Sequence, residues 1–302
     1  MDGGGLRGIF AAAALAALEA DLGRPIVDCF DLISGTSTGG LIALGLAAGM
    51  SPQDILDFYL DRGGDIFPKS RLGRLRRVRR PYDPAPLEAA LASILGDRLL
   101  GESKVRLAIP SFDQTGNDVH LFRTPHHPRL TRDLRERMVD VGMATAAAPT
   151  FLPAHNLHGQ RLIDGGVWAN NPTMVAVVEA MTSCRAIAEQ IHVLNVGTTT
   201  EVVRPSRRLD NGSPLRWISA IVDVSMRGQA LAAKNHAALL LGQGHVHRID
   251  FAVPAGIHGL DRVDSDDLIG RARAASRTAS PQIRYLFDHE AAPYVRESGS
   301  ES

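Results

Sequence analysis

F-D-L-I-S-G-T-S-T-G-G-L-I-A-L-G-L-A-A-G, residues 30–49, opens on a short apolar run and closes as an Ala/Leu-rich segment of high helix propensity. Phe30, Leu32 and Ile33 suit a buried strand, and Gly35-Thr36-Ser37-Thr38-Gly39 is a turn of small residues with serine at its apex. Strand, tight turn and helix around G-x-S-x-G make a nucleophile elbow. Gly35 and Gly39 sit where the strained turn, the strand and the helix leave no room for a Cβ. The helix behind Ser37 aims its unpaired N–H groups and positive dipole end at the same spot, which favours an oxyanion there. The competing reading is a small-residue loop with no chemistry.

The first residues weigh against that alternative. Asp2-Gly3-Gly4-Gly5-Leu6-Arg7-Gly8 runs into Ile9, Phe10, Leu15 and Leu18 at helical spacing. Three glycines ahead of a helix expose backbone N–H groups that can cradle an anion. Gly3, Gly5 and Gly8 also satisfy G-x-G-x-x-G, but a dinucleotide fingerprint follows a strand and needs a ribose-binding acid after the next one. Here only Met1 and Asp2 precede the glycines, and the next strand leads to a serine elbow. An oxyanion hole for acyl transfer fits better. The third element is Leu162-Ile163-Asp164-Gly165-Gly166-Val167, an aspartate offered from the end of an apolar strand; by itself D-G-G is a turn signal.

Together, D-G-G-G-L-R-G at 2–8, G-T-S-T-G at 35–39 and D-G-G at 164–166 resemble the patatin-like phospholipase family. A-A-A-P-T-F-L-P-A at 146–154, N-N-P at 170–172 and the strand 191–198 are similar to it as well. The resemblance spans about residues 2–200. It implies an α/β, patatin-like three-layer fold with a central, mostly parallel sheet flanked by helices. It also implies a phospholipase A-type lipid acyl hydrolase that cleaves fatty-acyl esters of membrane phospholipids through an acyl-serine. Carried over, Ser37 is the nucleophile and Asp164 the proton acceptor of a Ser–Asp dyad, with Gly3, Gly4, Gly5 and the N–H of Thr38 as oxyanion hole. Arg7, Gly8, Gly35, Gly39, Gly165 and Gly166 support them, Arg7 by charge beside the glycine loop or a substrate phosphate. Short bacterial members also resemble effectors of antiphage systems switched on by cyclic oligonucleotides, so a cyclic oligonucleotide activator and a homo-oligomer are expectations. Members carry a strand ahead of the glycine loop. Since the chain opens at Met1-Asp2, either its true start lies upstream or the loop is held by less backbone pairing.

Composition suits one domain over 1–297, with a catalytic core to about 200, packing or regulatory elements over 201–297 and a disordered tail at 298–302. Lys+Arg and Asp+Glu each number 33, so no net field points to a DNA or RNA duplex. Cys29 and Cys184 read as core thiols, and no metal or cofactor motif occurs. No uncharged apolar run reaches the ~18–20 residues of a membrane span, and no signal peptide is evident. The chain therefore reads as cytoplasmic, meeting the inner face of the membrane peripherally. The basic stretch 69–80 is either a solvated loop or a surface for anionic headgroups, and 63–80 is the candidate lid.

Further elements follow from pattern. Ser51-Pro52-Gln53-Asp54 caps a helix, and helices are expected at 86–95, 134–147, 170–181, 223–241 and 260–273. Strands are expected at 105–110, 119–122, 191–196 and 244–251; His245 and His247 alternate onto one face of the last as a conceivable metal pair. Two rival functions remain: a Ser-His-Asp esterase using His192, His236 or His245, and a catalytically silent nucleotide-sensing module.

Overall fold

A computed structural model of the chain describes residues 1–68, 82–202, 214–254, 256–292 and 294. The basic stretch 69–80, most of the expected lid and the tail 298–302 lie outside the described residues. In chain order come α1 (Gly8–Leu22), β1 (Leu32–Ser34), α2 (Thr38–Ala47), α3 (Pro52–Ile66) and α4 (Ala85–Leu95). The β2 (Arg106–Asp113) and β3 (Asp118–Arg123) hairpin precedes α5 (Met138–Ala146), β4 (His155–Leu157) and β5 (Gln160–Asp164). Next are α6 (Gly166–Ala169), α7 (Thr173–Thr182), β6 (Val193–Val196), β7 (Thr200–Val202) and α8 (Pro214–Leu241). Last come β8 (Val246–Ile249), β9 (Ala252–Pro254) and α9 (Ser265–Ile283).

Local chemistry explains most boundaries. α1 ends where Gly23 takes φ 68°, closing the helix through its N–H to the Glu19 carbonyl. Ser51 and Asp54 form the expected reciprocal cap on α3, with Pro52 in the first turn. α8 begins nine residues before the expected 223. α9 starts at Ser265, because the Asp264 side chain accepts the Asp267 N–H, and runs on to Ile283. α1 is Ala-rich and buried on nearly every side, with Phe10, Ala11, Ala12 and Ala14 sealed between α3 and α9. Small side chains let those helices approach closely.

The sheet is mixed, and its one crowded edge explains the site. β3 takes one edge of β2 as an antiparallel hairpin partner. The other edge is shared: β1 runs parallel to it over Arg106–Ala108, and β5 runs antiparallel over Ser111–Asp113. Ser34 lies opposite Ala108 and Asp164 opposite Ser111, so the C-terminal ends of β1 and β5 converge three residues apart along β2. At ~3.3 Å per residue that gap is about 10 Å, which the turn through Ser37 crosses. The remaining pairs, β6–β8 and β7–β9, are parallel.

Met1 and Asp2 tie these sheets together. The Met1 nitrogen donates to the Ser34 carbonyl and the Thr36 N–H to the Met1 carbonyl, while the Asp2 N–H donates to the Val196 carbonyl. That pattern is a parallel bridge with β1 on one side and a bond to β6 on the other. Below it, facing strand edges at Leu32–Ser34 and Ile191–Val196 line a cavity of about 720 Å³, walled also by Leu15, Ala176 and Val177. Neither Ser37 nor Asp164 lines this cavity.

Candidate active site

Ser37 occupies the turn between β1 and α2 at φ 54° and ψ −123°, a conformation an L-residue holds at a cost of about 1–3 kcal/mol. Its surroundings impose it. A Cβ on Gly35 would stand 2.0 Å from the Gly39 carbonyl oxygen, and one on Gly39 would stand 2.4 Å from that of Met1. The Ser37 N–H donates to Thr145 Oγ1 at 3.0 Å, and that hydroxyl donates to the Pro110 carbonyl at 2.7 Å. Thr145 comes from α5 and is fully buried, so it pins the elbow to β2 from beneath.

Asp164 ends β5, where its N–H donates to the Ala147 carbonyl at 3.0 Å. Its Oδ1 accepts the Gly166 N–H at 2.7 Å, and the Ser37 side chain is the neighbour that most opposes the upward shift of its carboxyl. Burial pushes the carboxyl up to about 6, and Ser37 and the Gly166 bond only partly offset it. Leu162 is buried, but Val167 is 38% exposed, and it is Met226 of α8 that covers Gly166 beside the carboxylate.

The glycine loop lies against Ser37: a Cβ on Gly3 would stand 3.3 Å from that of Ser37, and Gly8 brings α1 against Thr38. The Gly3 N–H donates to the Asn170 carbonyl at 2.9 Å, so it is already committed. This corrects the expectation that all three glycines offer donors. Gly4 and Gly5 place no N–H on an acceptor among the described residues, nor does Thr38 at the start of α2. Arg7 Nε reaches back to the Gly4 carbonyl at 3.4 Å and braces the loop. Gly165 packs its backbone on Pro110, where a Cβ would meet the carbonyl oxygen at 2.4 Å.

Sequence reading missed the wall behind this loop. Asp2 accepts from Asn195 Nδ2 at 3.0 Å and from Arg248 at 2.8 Å; Arg248 also bonds Asp250 at 2.7 Å and Asn195 Oδ1. Burial works against the Arg248 charge, but Asp2 and Asp250 outweigh it and hold the guanidinium above its ordinary range. Thr198 Oγ1 closes the network on the Gly3 carbonyl at 2.9 Å. Only the run Leu194-Asn195-Val196, a polar residue inside an apolar strand, hinted at it.

None of the chain's 11 histidines hydrogen-bonds Ser37 or Asp164. His192 and His245 stack on each other with centroids 4.3 Å apart, and His192 and His247 both bond the Tyr285 hydroxyl, so His245 and His247 gather at one cluster with His192 and Tyr285. His245 lies in a turn ahead of β8, which breaks the alternation. Among the described residues no three metal-ligating side chains converge. Cys29 and Cys184 are free thiols.

A strained elbow serine, a buried strand-end carboxylate and a loop whose Gly4 and Gly5 amides meet no acceptor among the described residues are the groups a serine hydrolase site is built from. The Patatin family model, described as patatin-like phospholipase, matches residues 1–177. The chain belongs to that family and is a lipid acyl hydrolase of the α/β class. A cGAMP-activated phospholipase of Pseudomonas aeruginosa is 34% identical over 87% of this chain and 81% of its own length. The Vibrio cholerae protein of the same name is 35% identical over 67% of this chain and 63% of its own. Patatin-like protein 1 of Oryza sativa subsp. indica is 31% identical over 81% and 70%.

Proposed function

We propose that Ser37 and Asp164 hydrolyse a fatty-acyl ester of a membrane phospholipid, and that a cyclic oligonucleotide switches the reaction on. The Ser37 Oγ attacks the ester carbonyl while Asp164 takes its proton. The N–H groups of Gly4, Gly5 and Thr38 receive the negative oxygen; each such donor lowers a barrier by about 3–4 kcal/mol. Collapse leaves acyl-Ser37, and the proton on Asp164 passes to the departing lysophospholipid oxygen. Water then attacks the acyl-serine as Asp164 takes a proton again, and the fatty acid leaves as the proton returns to Ser37.

The observation that carries this reading is the elbow serine held at φ 54° beneath Gly4 and Gly5 amides that meet no acceptor among the described residues, with the buried Asp164 carboxyl, pushed up to about 6, influenced by the Ser37 side chain. A carboxylate at its usual value is too weak a base for a hydroxyl, and burial corrects part of that mismatch. The activator class rests on the Pseudomonas and Vibrio relatives, both named for activation by cGAMP. Among the described residues no helix is long and apolar enough to cross a membrane, which fits an enzyme that meets lipid from the aqueous side.

Fatty-acid release from phosphatidylethanolamine/phosphatidylglycerol vesicles tests both parts. Wild type should release fatty acid with cGAMP or another cyclic di- or trinucleotide present, and Ser37→Ala and Asp164→Asn should each lower the rate at least a thousandfold. Full activity in Asp164→Asn would remove the dyad. A wild-type rate indifferent to every cyclic nucleotide would remove the switch and leave the hydrolase.

A further inference from the structure

Gly3 and Gly166 face the same side chain. A Cβ on Gly3 would stand 2.5 Å from Asn170 Oδ1 and 3.3 Å from the Ser37 Cβ. One on Gly166 would stand 3.2 Å from the same Oδ1 and 3.0 Å from Asp164 Oδ1. The half-buried Asn170 amide therefore lies between the glycine loop and the turn after Asp164, with both reacting side chains beside it. Its backbone is held from two sides. The Asn170 carbonyl accepts the Gly3 N–H at 2.9 Å, and the neighbouring Ala169 carbonyl accepts the Thr36 hydroxyl at 2.6 Å. Polar side chains nearby are spent on the fold: Trp168 Nε1 donates to the Ser111 carbonyl at 2.8 Å, and Asn171 donates to Asn195 and accepts the Thr173 N–H. The Asn170 amide enters no hydrogen bond among the described residues.

An asparagine kept for the fold satisfies its amide within the fold. One anchored through its backbone, with an unused amide beside a nucleophile, is preorganised for charge that develops there. We infer that Asn170 is a further catalytic residue of this site: its Nδ2–H donates to the oxyanion that forms when Ser37 attacks the ester. The inference rests on the Ser37–Asp164 hydrolase reading above. The glycine loop is one donor short, because the Gly3 N–H is committed to the carbonyl of Asn170 itself. A half turn about χ2 exchanges the carbonyl and NH2 ends of the amide without changing its shape, and so turns a donor to the negative oxygen. Asp164 makes no competing demand at that moment. Its Oδ1 already accepts the Gly166 N–H, and the carboxyl becomes neutral on taking the Ser37 proton. The new oxyanion is then the strongest acceptor in the site.

The test follows hydrolysis of p-nitrophenyl butyrate by the full chain, with and without cGAMP. Asn170→Ala should lower kcat about a hundredfold with KM within about threefold, the signature of one lost oxyanion donor. Asn170→Asp keeps the shape but puts an acceptor where the donor was, so its kcat should fall at least as far. Tm of the alanine variant should stay within about 2 °C of wild type, because the amide bonds nothing in the fold. A merely structural asparagine predicts the reverse, a lower Tm at unchanged kcat. An alkyl trifluoromethyl ketone separates a donor from an indirect effect. Ser37 Oγ adds to its carbonyl, Asp164 takes the proton, and the adduct keeps the oxyanion because it has no leaving group. Asn170→Ala should weaken inhibition by this ketone about as much as it lowers kcat. Inhibition kept at wild-type strength overturns the inference, as does a wild-type kcat in Asn170→Ala while Ser37→Ala is inactive. A wild-type rate that is absent, or that survives Ser37→Ala, overturns the hydrolase reading and the donor with it.

Discussion

The two walls of the site are built from different materials. The front wall, glycine loop and elbow, is backbone: glycines where no Cβ fits, a serine at positive φ, and Gly4, Gly5 and Thr38 N–H groups without acceptors among the described residues. The rear wall is a charged network: buried Asp2 and Asn195 with half-buried Arg248 and Asp250, gathered from three remote segments. The front wall stores strain and unmet hydrogen bonds for the reaction to use. The rear wall satisfies its polar groups and holds the first residues of the loop in place. Reactive backbone therefore stands on a rigid ionic footing, and the two should fail differently.

The largest stability effect should come from the rear. Arg248→Met leaves two carboxylates buried without their counter-charge, and breaking such a pair costs about 3–5 kcal/mol. Urea unfolding should shift accordingly. A shift below about 1 kcal/mol would make the network ornamental and dissolve the contrast.

Asp164→Asn should act in the opposite direction. The folded carboxyl is raised to about 6 from 3.8, so the fold favours its protonated form. Stability from this group is full below about pH 4, declines as pH rises, and is lost above about 6. Asparagine avoids the cost, so the variant should be the more stable by about 2–3 kcal/mol at pH 7.5 and lose that advantage below pH 4. Calorimetry at the two pH values reads the difference. The same titration predicts that kcat/KM of wild type rises with pH through about 6, because the base must be ionised.

Thr145→Val probes the support beneath the front wall. It strands the buried Ser37 N–H at a cost of about 1–3 kcal/mol, and should slow labelling of Ser37 by a fluorophosphonate more than it lowers Tm. The smallest expected effect belongs to the cavity between β1 and β6. Lengthening the chain ahead of Met1 by five alternating Val and Ile residues offers a strand to both free edges and should raise Tm by a few degrees. An unchanged Tm, with the added residues exchanging amide protons freely, would show that the edges do not accept a strand.

Much of this was legible in the chain because it is local. Phe30–Gly49 spells strand, turn and helix within twenty residues, and Ser51-Pro52-Gln53-Asp54 spells a helix start, since steric exclusion and capping act between near neighbours. Gly3 shows where local reading ends: three glycines promise three donors, but a carbonyl from Asn170 claims one. Thr145 and Arg248 gave no local signal, because a threonine in a helix and an arginine in a strand become structural only through what lies across from them.

The sequence by itself determined which groups could react: a serine on a turn that only glycine-flanked backbone can make, an aspartate at a strand end, and amides ahead of a helix. Their meeting was decided by the tertiary structure alone. β1 and β5 take the same edge of β2 from opposite directions, and that antiparallel pairing, a hydrogen-bond register between distant segments, brings the strand ends that carry Ser37 and Asp164 together. Burial then raised the carboxyl toward neutrality, a property of packed surroundings that no single stretch of chain contains.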